Sequence, residues 1–171
     1  MLCFVPLATG QTIPLQVLKD LTKQTVGIDL IPCCTEGVLD SNKNISIEKL
    51  TGEISSRNLA LDLIKKCGEK FVIMQDRDCL HIFENNYTIA VDYLNNNPKV
   101  GILSLPWKEY EVKNHIIMRA MVLRVEALKN FKFRYDERRH LCPCMMEDMV
   151  REEWECKFLP SDKRLIKELP R

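Results

Sequence analysis

The stretch Phe71–Asp78, with the sequence FVIMQDRD, carries more information about the fold than any other part of the chain. Its first four residues form a short apolar run, which is typical of a strand buried in a sheet. Asp76 and Asp78 follow, with Arg77 between them, so two carboxylates stand where the predicted strand ends. In open α/β sheets, ligands bind outside the carboxyl ends of the strands. The stretch therefore predicts a buried strand that leads into a ligand site.

The segments before this stretch alternate between strand and helix patterns. Leu2–Leu7 and Ile28–Pro32 are apolar runs that predict buried strands. Pro14 marks the first turn of a helix between them. A second helix is predicted over Ile54–Cys67, before the Phe71 strand. Strands that alternate with helices favour an α/β fold with a mostly parallel sheet.

The second predicted helix also suggests which side of it is apolar. Leu59, Leu63 and Cys67 recur at four-residue spacing, which places them on one helical face. Gly68 follows at a position where a helix C-terminus favours glycine. We therefore expect these three side chains to form the apolar face of the helix.

The second half of the chain continues with the same kinds of pattern. A helix, two strands, a further helix and a closing strand are predicted over Tyr87–Leu94, Val100–Leu105, Ile116–Val122, Met146–Trp154 and Lys157–Leu159. The tail from Ser161 onward is predicted to be a surface segment.

Length and composition narrow the class of protein. The chain has 171 residues, about the size of one domain, and can bury about 70 % of its unfolded surface. Hydrophobic residues make up 46 % and charged residues 29 %, which is a globular balance. The net charge of +1 argues against a nucleic-acid binder, even though 119–139 is locally basic.

The expected location of the protein is the cytoplasm. The chain has no apolar run of membrane-spanning length, so no transmembrane segment is expected, and Met1–Pro6 does not resemble a secretory signal. The eight cysteines are too few to mark a disulfide scaffold, and several lie in apolar runs. This pattern favours a reducing compartment.

The two carboxylates of the Asp-Arg-Asp stretch suit a hard divalent cation. Mg²⁺ or Mn²⁺ takes one or two carboxylates together with substrate phosphates, and would neutralise a diphosphate leaving group. Zinc is a weaker interpretation of His140-x-Cys142-x-Cys144, since tetrahedral sites need a fourth ligand and usually wider cysteine spacing. His81 is expected at the surface, and Cys79 is expected to be an unreactive thiol because carboxylates stand beside it.

The order of these motifs resembles that of the family 2 glycosyltransferases of the GT-A fold. In that family a small residue followed by Arg-Asn opens a helix, a strand follows, and the strand ends in an Asp-x-Asp motif. Here Ser56–Asn58 precedes Phe71–Asp78 in the same way. Other segments are similar to the family's first helix, its Asn-Pro-x-Val-Gly strand entry, its Glu-Asp motif and its closing strand: Leu15–Thr25, Asn97–Gly101, Glu147–Asp148 and Lys157–Pro160.

The resemblance implies both a fold and an activity. The fold would be a GT-A-like three-layer sandwich with a mostly parallel central sheet, as one domain over residues 1–171. Residues 1–79 would form the nucleotide-sugar-binding half, 80–160 the acceptor-side half, and 161–171 a tail. The activity would be metal-dependent, inverting transfer of a sugar from a UDP- or GDP-sugar to a hydroxyl acceptor, with Mn²⁺ or Mg²⁺ as cofactor.

The resemblance also implies roles for individual residues. Asp78 and Asp76 would hold the metal. Asp148 would be the general base, which takes the proton of the attacking hydroxyl, with Glu147 as its neighbour. The donor would contact Pro6, Ala8, Thr9, Glu36, Arg57, Asp76, Arg77 and Asp78.

Departures from the family pattern keep other functions open. The family usually has aspartates at the end of the second strand to hold the base, whereas this chain has Ile31–Glu36 there, with Glu36 as a substitute. The acceptor part is also short. A catalytically inactive GT-A-fold binding or interaction module is therefore the main alternative, ahead of a nucleotidyltransferase and a nucleic-acid binder. A trimmed sheet edge is consistent with a homodimer.

Overall fold

The computed structural model describes residues 1–8, 10–34, 47–106, 118–134, 141–161 and 164–169. The strands are β1 (Leu2–Leu7), β2 (Asp29–Cys34), β3 (Phe71–Gln75), β4 (Cys79–His81), β5 (Val100–Ser104), β6 (Ala120–Arg124), β7 (Glu155–Phe158) and β8 (Ile166–Glu168). The helices are α1 (Leu15–Leu21), α2 (Ile47–Ile64), α3 (Asn86–Asn96) and α4 (Leu141–Arg151), and a 3₁₀ helix covers Val125–Leu128.

Among these residues, six strands form one sheet in the order β2-β1-β3-β6-β5-β7. The pairs β1–β2, β1–β3 and β5–β7 are parallel, as the sequence predicts. Strand β6 is antiparallel to both of its neighbours, β3 and β5. The predicted α/β class with a mostly parallel sheet is confirmed, with this one reversed strand. Because β6 is reversed, its N-terminal end lies beside the C-terminal end of β3.

Helices cover both faces of the sheet and give it three layers. Phe71 and Ile73 of β3 belong to one hydrophobic cluster, which includes residues of α1 and α3. Val72 and Met74 belong to the other cluster, which includes residues of α2 and α4. Every residue of β3 is buried, as a strand covered on both faces requires.

The apolar face of α2 differs from the predicted one. Leu63 is 41 % exposed, and the side chains that are buried are those of Ala60, Leu61 and Ile64. Their three- and four-residue spacing is helical. Leu59 and Cys67 of the predicted face are partly buried against the same cluster, so Leu63 is the member of that face whose prediction is wrong. Helix α2 begins at Ile47, earlier than predicted.

The prediction that the tail is a surface segment is wrong. Strand β8 pairs with β4 in a separate two-stranded sheet, with Cys79 opposite Glu168. Leu165 and Ile166 are buried in the same cluster as α1 and α3. The tail is therefore packed against the segment that follows the Asp-Arg-Asp motif.

Other boundaries shift by a few residues. Strand β6 begins at Ala120 rather than at Ile116, and 116–117 lie outside the described residues. Helix α4 spans Leu141–Arg151, so it begins before the predicted Met146. In the part of the chain that the structure describes, no helix is long and apolar enough to cross a bilayer.

Candidate functional site

A cleft opens where β1 and β3 end, and it is called the Asp76 cleft here. Its volume is about 170 Å³. The lining residues come from the ends of β1 and β3, from α2 and from the segment before β6: Pro6, Leu7, Ala8, Gln11, Ser56, Arg57, Asp76, Arg77, Asp78 and Arg119. The structure thus brings together six of the residues predicted to bind the donor. Thr9 and Glu36, which were also predicted, lie outside the described residues.

Arg57 and Asp76 form the central ion pair of this cleft. Arg57 Nη2 donates to Asp76 Oδ1 at 2.8 Å, and the Arg57 side chain is only 4 % exposed. Ser56, its neighbour in α2, donates its hydroxyl to the Leu7 carbonyl at 2.7 Å and so ties α2 to the end of β1. A buried guanidinium held in this way fixes the Asp76 carboxylate in one orientation.

Arg119 is a cleft residue that sequence reasoning missed. Its Nη1 lies 3.6 Å from Asp76 Oδ2 and 3.4 Å from Asp78 Oδ1, and its Nη2 lies 2.5 Å from Glu168 Oε1. It enters the cleft because β6 runs antiparallel beside β3, which sets Ala120 opposite Gln75. The only sequence signals are an arginine inside the predicted strand Ile116–Val122 and the locally basic stretch 119–139, and neither points to the cleft until the β3–β6 pairing is known.

Arg77 and Asp78 sit at the rim of the cleft. Arg77 Nη1 donates to the Thr12 carbonyl at 3.2 Å in an exposed position. The Asp78 carbonyl accepts a hydrogen bond from the Leu169 amide at 2.8 Å. The Ala8 amide, at the end of β1, donates to Gln11 Oε1 at 3.0 Å, and both residues line the cleft.

A buried polar network lies behind the 76–78 loop. Gln75 Oε1 accepts hydrogen bonds from the Tyr87 hydroxyl and from His81 Nε2, the latter at 3.0 Å. Gln75 Nε2 donates to the Cys79 carbonyl at 3.1 Å and so closes the loop from within. Asn86 Nδ2 donates to the Leu165 carbonyl at 2.7 Å and lies 3.2 Å from His81 Nδ1.

His81 is therefore a core histidine, and its predicted surface position is wrong. The Asn86 amide group that bonds Leu165 is a donor, so Nδ1 of His81 must accept, and Nε2 carries the proton that goes to Gln75. Burial disfavours the charged imidazolium and lowers the pKa of His81 to about 4.

The predicted inertness of Cys79 has a clear physical basis. Burial, followed by the charge of Asp76, raises the pKa of the Cys79 thiol far above its usual value. The thiol donates to the Arg119 carbonyl at 3.4 Å. A thiol that stays protonated is a poor nucleophile.

Asp148, the predicted general base, lies in a different place. It lines a second cleft of about 420 Å³, called the Asp148 cleft here, and none of the described residues lines both clefts. Its lining residues are Asn130, Phe131, Lys132, Phe133, Arg134, Asp148, Met149, Arg151 and Glu152. Glu147, its predicted partner, is exposed on α4 beside it.

The Asp148 carboxylate is paired with arginines that face solvent. Arg134 Nη2 donates to Asp148 Oδ1 at 2.7 Å, and Arg151 Nη2 lies 3.4 Å from the same oxygen. The Arg134 side chain is 52 % exposed.

Helix α4 packs closely against β5 at Gly101, where an added Cβ would stand 2.6 Å from Met149 Cε and 2.8 Å from Ala127 Cβ.

Arg57 and Asn58 of α2 contact Phe133 between the two clefts. The Arg57 guanidinium lies 5.9 Å from the centroid of the Phe133 ring, within the range of a cation–π contact. Asn58 exchanges two hydrogen bonds with the Phe133 backbone, at 2.9 Å and 2.8 Å. Phe133 lines the Asp148 cleft and Arg57 lines the Asp76 cleft. The contact between these two side chains therefore lies between the two clefts.

The donor atoms at the Asp76 cleft are suited to Mg²⁺ or Mn²⁺. Asp76 and Asp78 offer carboxylate oxygens, and both side chains are about a quarter exposed, at 23 % and 24 %. Among the described residues, no group of three or more histidine, cysteine or acidic side chains is arranged to hold a metal ion. A cation held by these two carboxylates would complete its coordination with water and, when a donor is bound, with substrate phosphates. His140 of the predicted zinc alternative lies outside the described residues, and the side chain of Cys142 is likewise not described.

Comparison with solved structures identifies the fold. A mannosyltransferase from Pyrobaculum calidifontis, in complex with GDP-Man and Mn²⁺, matches 99 % of this chain with a TM-score of 0.67 and 13 % identity. The chain has the GT-A fold. Two further matches cover 99 % of the chain with a TM-score of 0.65 and 14 % identity: S. aureus TarS in complex with UDP-GlcNAc, and the catalytic domain of Drosophila β1,4-galactosyltransferase 7 in complex with xylobiose.

The GT-A match has limits in length and in sequence. This chain spans 57 % of the mannosyltransferase, 58 % of a TarS fragment that covers its residues 1–349, and 70 % of the galactosyltransferase domain. No protein-family model matches the sequence, and no curated protein matches it either. The similarity therefore lies in the three-dimensional fold.

Proposed function

We propose that this chain is a metal-dependent, inverting glycosyltransferase that moves a sugar from a nucleotide-diphosphate sugar to a hydroxyl acceptor. The observation that carries the proposal is the position of Asp76 and Asp78, which line one cleft at the ends of β1 and β3 in a GT-A fold. Buried Arg57 orients Asp76 there. Such strand ends are where open α/β sheets bind nucleotides.

Asp78 and Asp76 would hold Mn²⁺ or Mg²⁺ together with the donor's phosphates. The bound cation would supply charge neutralisation of the diphosphate as it leaves. Support comes from the mannosyltransferase, whose structure contains GDP-Man and Mn²⁺, and from TarS, whose structure contains UDP-GlcNAc. A UDP- or GDP-sugar is accordingly the donor class that we propose.

The remaining roles follow the two clefts. Pro6 and Ala8 stand at the end of β1, where they would border the base together with Thr9 and Glu36. Arg77, at the rim, would face the phosphates. Asp148 would act as general base, with Glu147 beside it, on an acceptor that reaches the donor from the Asp148 cleft. Phe133 and Arg57 would then lie between acceptor and donor.

One observation favours a second candidate, a catalytically inactive GT-A-fold binding module. Arg119 already lies against both aspartates, at 3.6 Å and 3.4 Å, and so supplies a positive charge where a metal would bind. Asp148 also lines a cleft that shares none of the described residues with the Asp76 cleft. A module of this kind would bind a nucleotide or a partner without turnover.

Calorimetric titration with UDP and GDP, each with and without Mn²⁺, tests donor binding. We expect one nucleotide to bind in a metal-dependent manner, and Asp78→Ala to weaken it by more than about tenfold through loss of a metal ligand. Asp62→Ala is the matched control, since Asp62 is exposed on α2 and lines neither cleft. If the folded protein binds neither nucleotide, the donor-site proposal is wrong.

Turnover separates the two candidates. With the nucleotide known, hydrolysis or transfer from the corresponding sugar donors is measured for the wild type and for Asp148→Asn. A general base contributes about 10²- to 10⁴-fold, so the variant should lose that much rate with donor binding unchanged. Nucleotide binding without turnover on any acceptor would support the inactive module.

A further inference from the structure

Arg119 is placed in the cleft by backbone pairing. Its carbonyl accepts the Asp76 amide at 2.7 Å, which extends the β3–β6 ladder by one residue beyond Gln75 and Ala120. The guanidinium therefore emerges beside the Asp-Arg-Asp loop whenever the central sheet is formed. The position is a consequence of the fold and does not depend on the ion pairs that the side chain makes.

The contacts of the guanidinium are unequal. The contact from Nη2 to Glu168 Oε1, at 2.5 Å, is short, whereas the contacts from Nη1 to Asp76 and Asp78 are 3.6 Å and 3.4 Å. The contact with Glu168 Oε1 is an ion pair without the geometry of a hydrogen bond, whereas Nη1 donates a hydrogen bond to Asp78 Oδ1. The carboxylate nearest to Arg119 is therefore that of Glu168 in β8, and the two aspartates lie farther from the guanidinium.

The charges around Arg119 favour an exchange of partners. Three carboxylates, from Asp76, Asp78 and Glu168, face the two guanidinium groups of Arg57 and Arg119. Arg57 is buried and bonded at 2.8 Å, so it stays with Asp76. Arg119 is 24 % exposed, and turning about its Glu168 contact would free both aspartates while its charge remains at the cleft.

We propose that Arg119 is an internal counter-ion which competes with the divalent cation for Asp76 and Asp78 and which, once released but still held by Glu168, binds the diphosphate of the donor. The inference rests on the proposed function, because it assumes that a cation and a diphosphate enter this cleft. It makes Arg119 a positioning residue before binding and a phosphate ligand afterwards. Glu168 serves as its anchor in both states.

Titration of MnCl₂ alone, followed by calorimetry, tests the competition. Removing the competing guanidinium with Arg119→Gln should tighten Mn²⁺ binding by about fivefold, the combined size expected of two partly exposed ion pairs. Arg164→Gln is the matched control: it removes the same charge from an arginine that is exposed and lines neither cleft. Its effect should be smaller than about twofold, since it acts only through the general field.

The second half of the proposal is tested with nucleotide. At saturating Mn²⁺, Arg119→Gln should weaken binding of the preferred nucleoside diphosphate by about tenfold, the loss of one charge-assisted contact. The variant should thus bind the metal more tightly and the nucleotide more weakly. Arg119→Lys, which keeps the charge but cannot span Glu168 and the aspartates, should fall between wild type and Arg119→Gln on both scales, and it carries the test if the glutamine variant does not fold.

The outcomes distinguish this inference from the proposed function. Equal Mn²⁺ affinity for Arg119→Gln and Arg164→Gln overturns the competition, and an unchanged nucleotide affinity for Arg119→Gln overturns the phosphate contact. In either case a metal-dependent nucleotide site in the wild type leaves the proposed function standing. Absence of Mn²⁺ binding in every variant overturns the inference, and titration of the nucleotide without metal then decides whether the donor site exists. Mn²⁺ binding by Arg119→Gln but not by the wild type supports the inference and favours the inactive module.

Discussion

The Asp76 cleft and the Asp148 cleft contain the same chemical pair in opposite surroundings. In the first, the arginine is buried: Arg57 is 4 % exposed and bonds Asp76 at 2.8 Å. In the second, the arginine is exposed: Arg134 is 52 % exposed and bonds Asp148 at 2.7 Å. The two distances are nearly equal, so the length of an ion pair says little about what the pair contributes.

The difference in burial determines how firmly each carboxylate is held. An exposed pair is screened by water and salt and is worth about 0–1 kcal/mol. A buried arginine that loses its partner keeps a charge it cannot hydrate. Asp76 is thus fixed before any ligand arrives, whereas Asp148 can exchange its arginine for an incoming group. In the function that we propose, the donor site would therefore be preformed and the acceptor site would adjust to its ligand.

The largest effect is expected when the two arginines, Arg57 and Arg134, are truncated. Arg57→Ala should lower the free energy of unfolding by about 3 kcal/mol, because it leaves Asp76 without its main partner and removes a buried side chain. Arg134→Ala should cost no more than about 0.5 kcal/mol, and less in high salt. Urea denaturation of both variants gives the two values. Equal losses would contradict the role assigned to burial.

A second test uses pH, because the polar network behind the 76–78 loop contains the buried His81. The pKa of His81 falls from 6.5 in the unfolded chain to about 4 in the fold. The unfolded state therefore binds the extra proton between these values, and the stabilisation, complete above pH 6.5, is lost as the pH falls toward 4. At pH 5 the loss should be about 2 kcal/mol relative to neutral pH.

The control for the pH test is His81→Gln, which keeps hydrogen-bonding capacity but does not titrate. Urea denaturation at pH 7 and pH 5 should show a smaller fall in stability for the variant than for the wild type. Asp20, whose carboxylate accepts the His81 amide and whose pKa is raised by burial, is common to both proteins and cancels in the difference. Parallel pH profiles would show that His81 is not the titrating group.

The smallest expected effect concerns the packing of α4 against β5 at Gly101. Gly101→Ala places a Cβ within 2.6 Å of Met149 Cε and 2.8 Å of Ala127 Cβ, and overpacking of this kind costs about 1.5 kcal/mol. Gly27→Ala is the matched control, because nothing lies within 4 Å of the added Cβ. The Gly101 variant should disturb the Asp148 cleft and leave nucleotide affinity at the Asp76 cleft unchanged. A change in nucleotide affinity would show that the clefts are coupled through the sheet.

The order of strands and helices could be predicted because each of those elements has a local signal. Phe71–Gln75 is a continuous apolar run followed by polar residues, and the covered parallel strand it predicts is the one observed. The strand-end position of Asp76 and Asp78 follows from the same run. The family resemblance implies that Arg57 lies near the donor; the structure shows its ion pair with Asp76 at 2.8 Å, and the role of Arg57 toward a donor stays a prediction.

The parts that could not be predicted depend on contacts between distant segments. Strands β4 and β8 have three residues each, which is too short for an alternation of apolar and polar residues to be recognised. Each is a strand because it pairs with the other. His81 looked like a surface residue because its partners, Gln75, Tyr87 and Asn86, are recognisable only in three dimensions. Arg119 was missed for a similar reason, since β6 could equally have lain elsewhere in the sheet. The roles of Asp148 and Glu147 remain predictions.

The pairing of Cys79 with Glu168 has a consequence for the time course of folding. Closing so long a loop is entropically costly, so we expect the β4–β8 pair to form after the central sheet. On the ribosome, Arg57, Asp76, Asp78 and Arg119 are all synthesised before Glu168. A nascent chain could therefore assemble the central sheet with Arg119 resting on the aspartates alone. Pairing of β8 with β4 would then bring the Glu168 carboxylate beside the Arg119 guanidinium. The arrangement of charges in the cleft would therefore be completed only after the central sheet has formed.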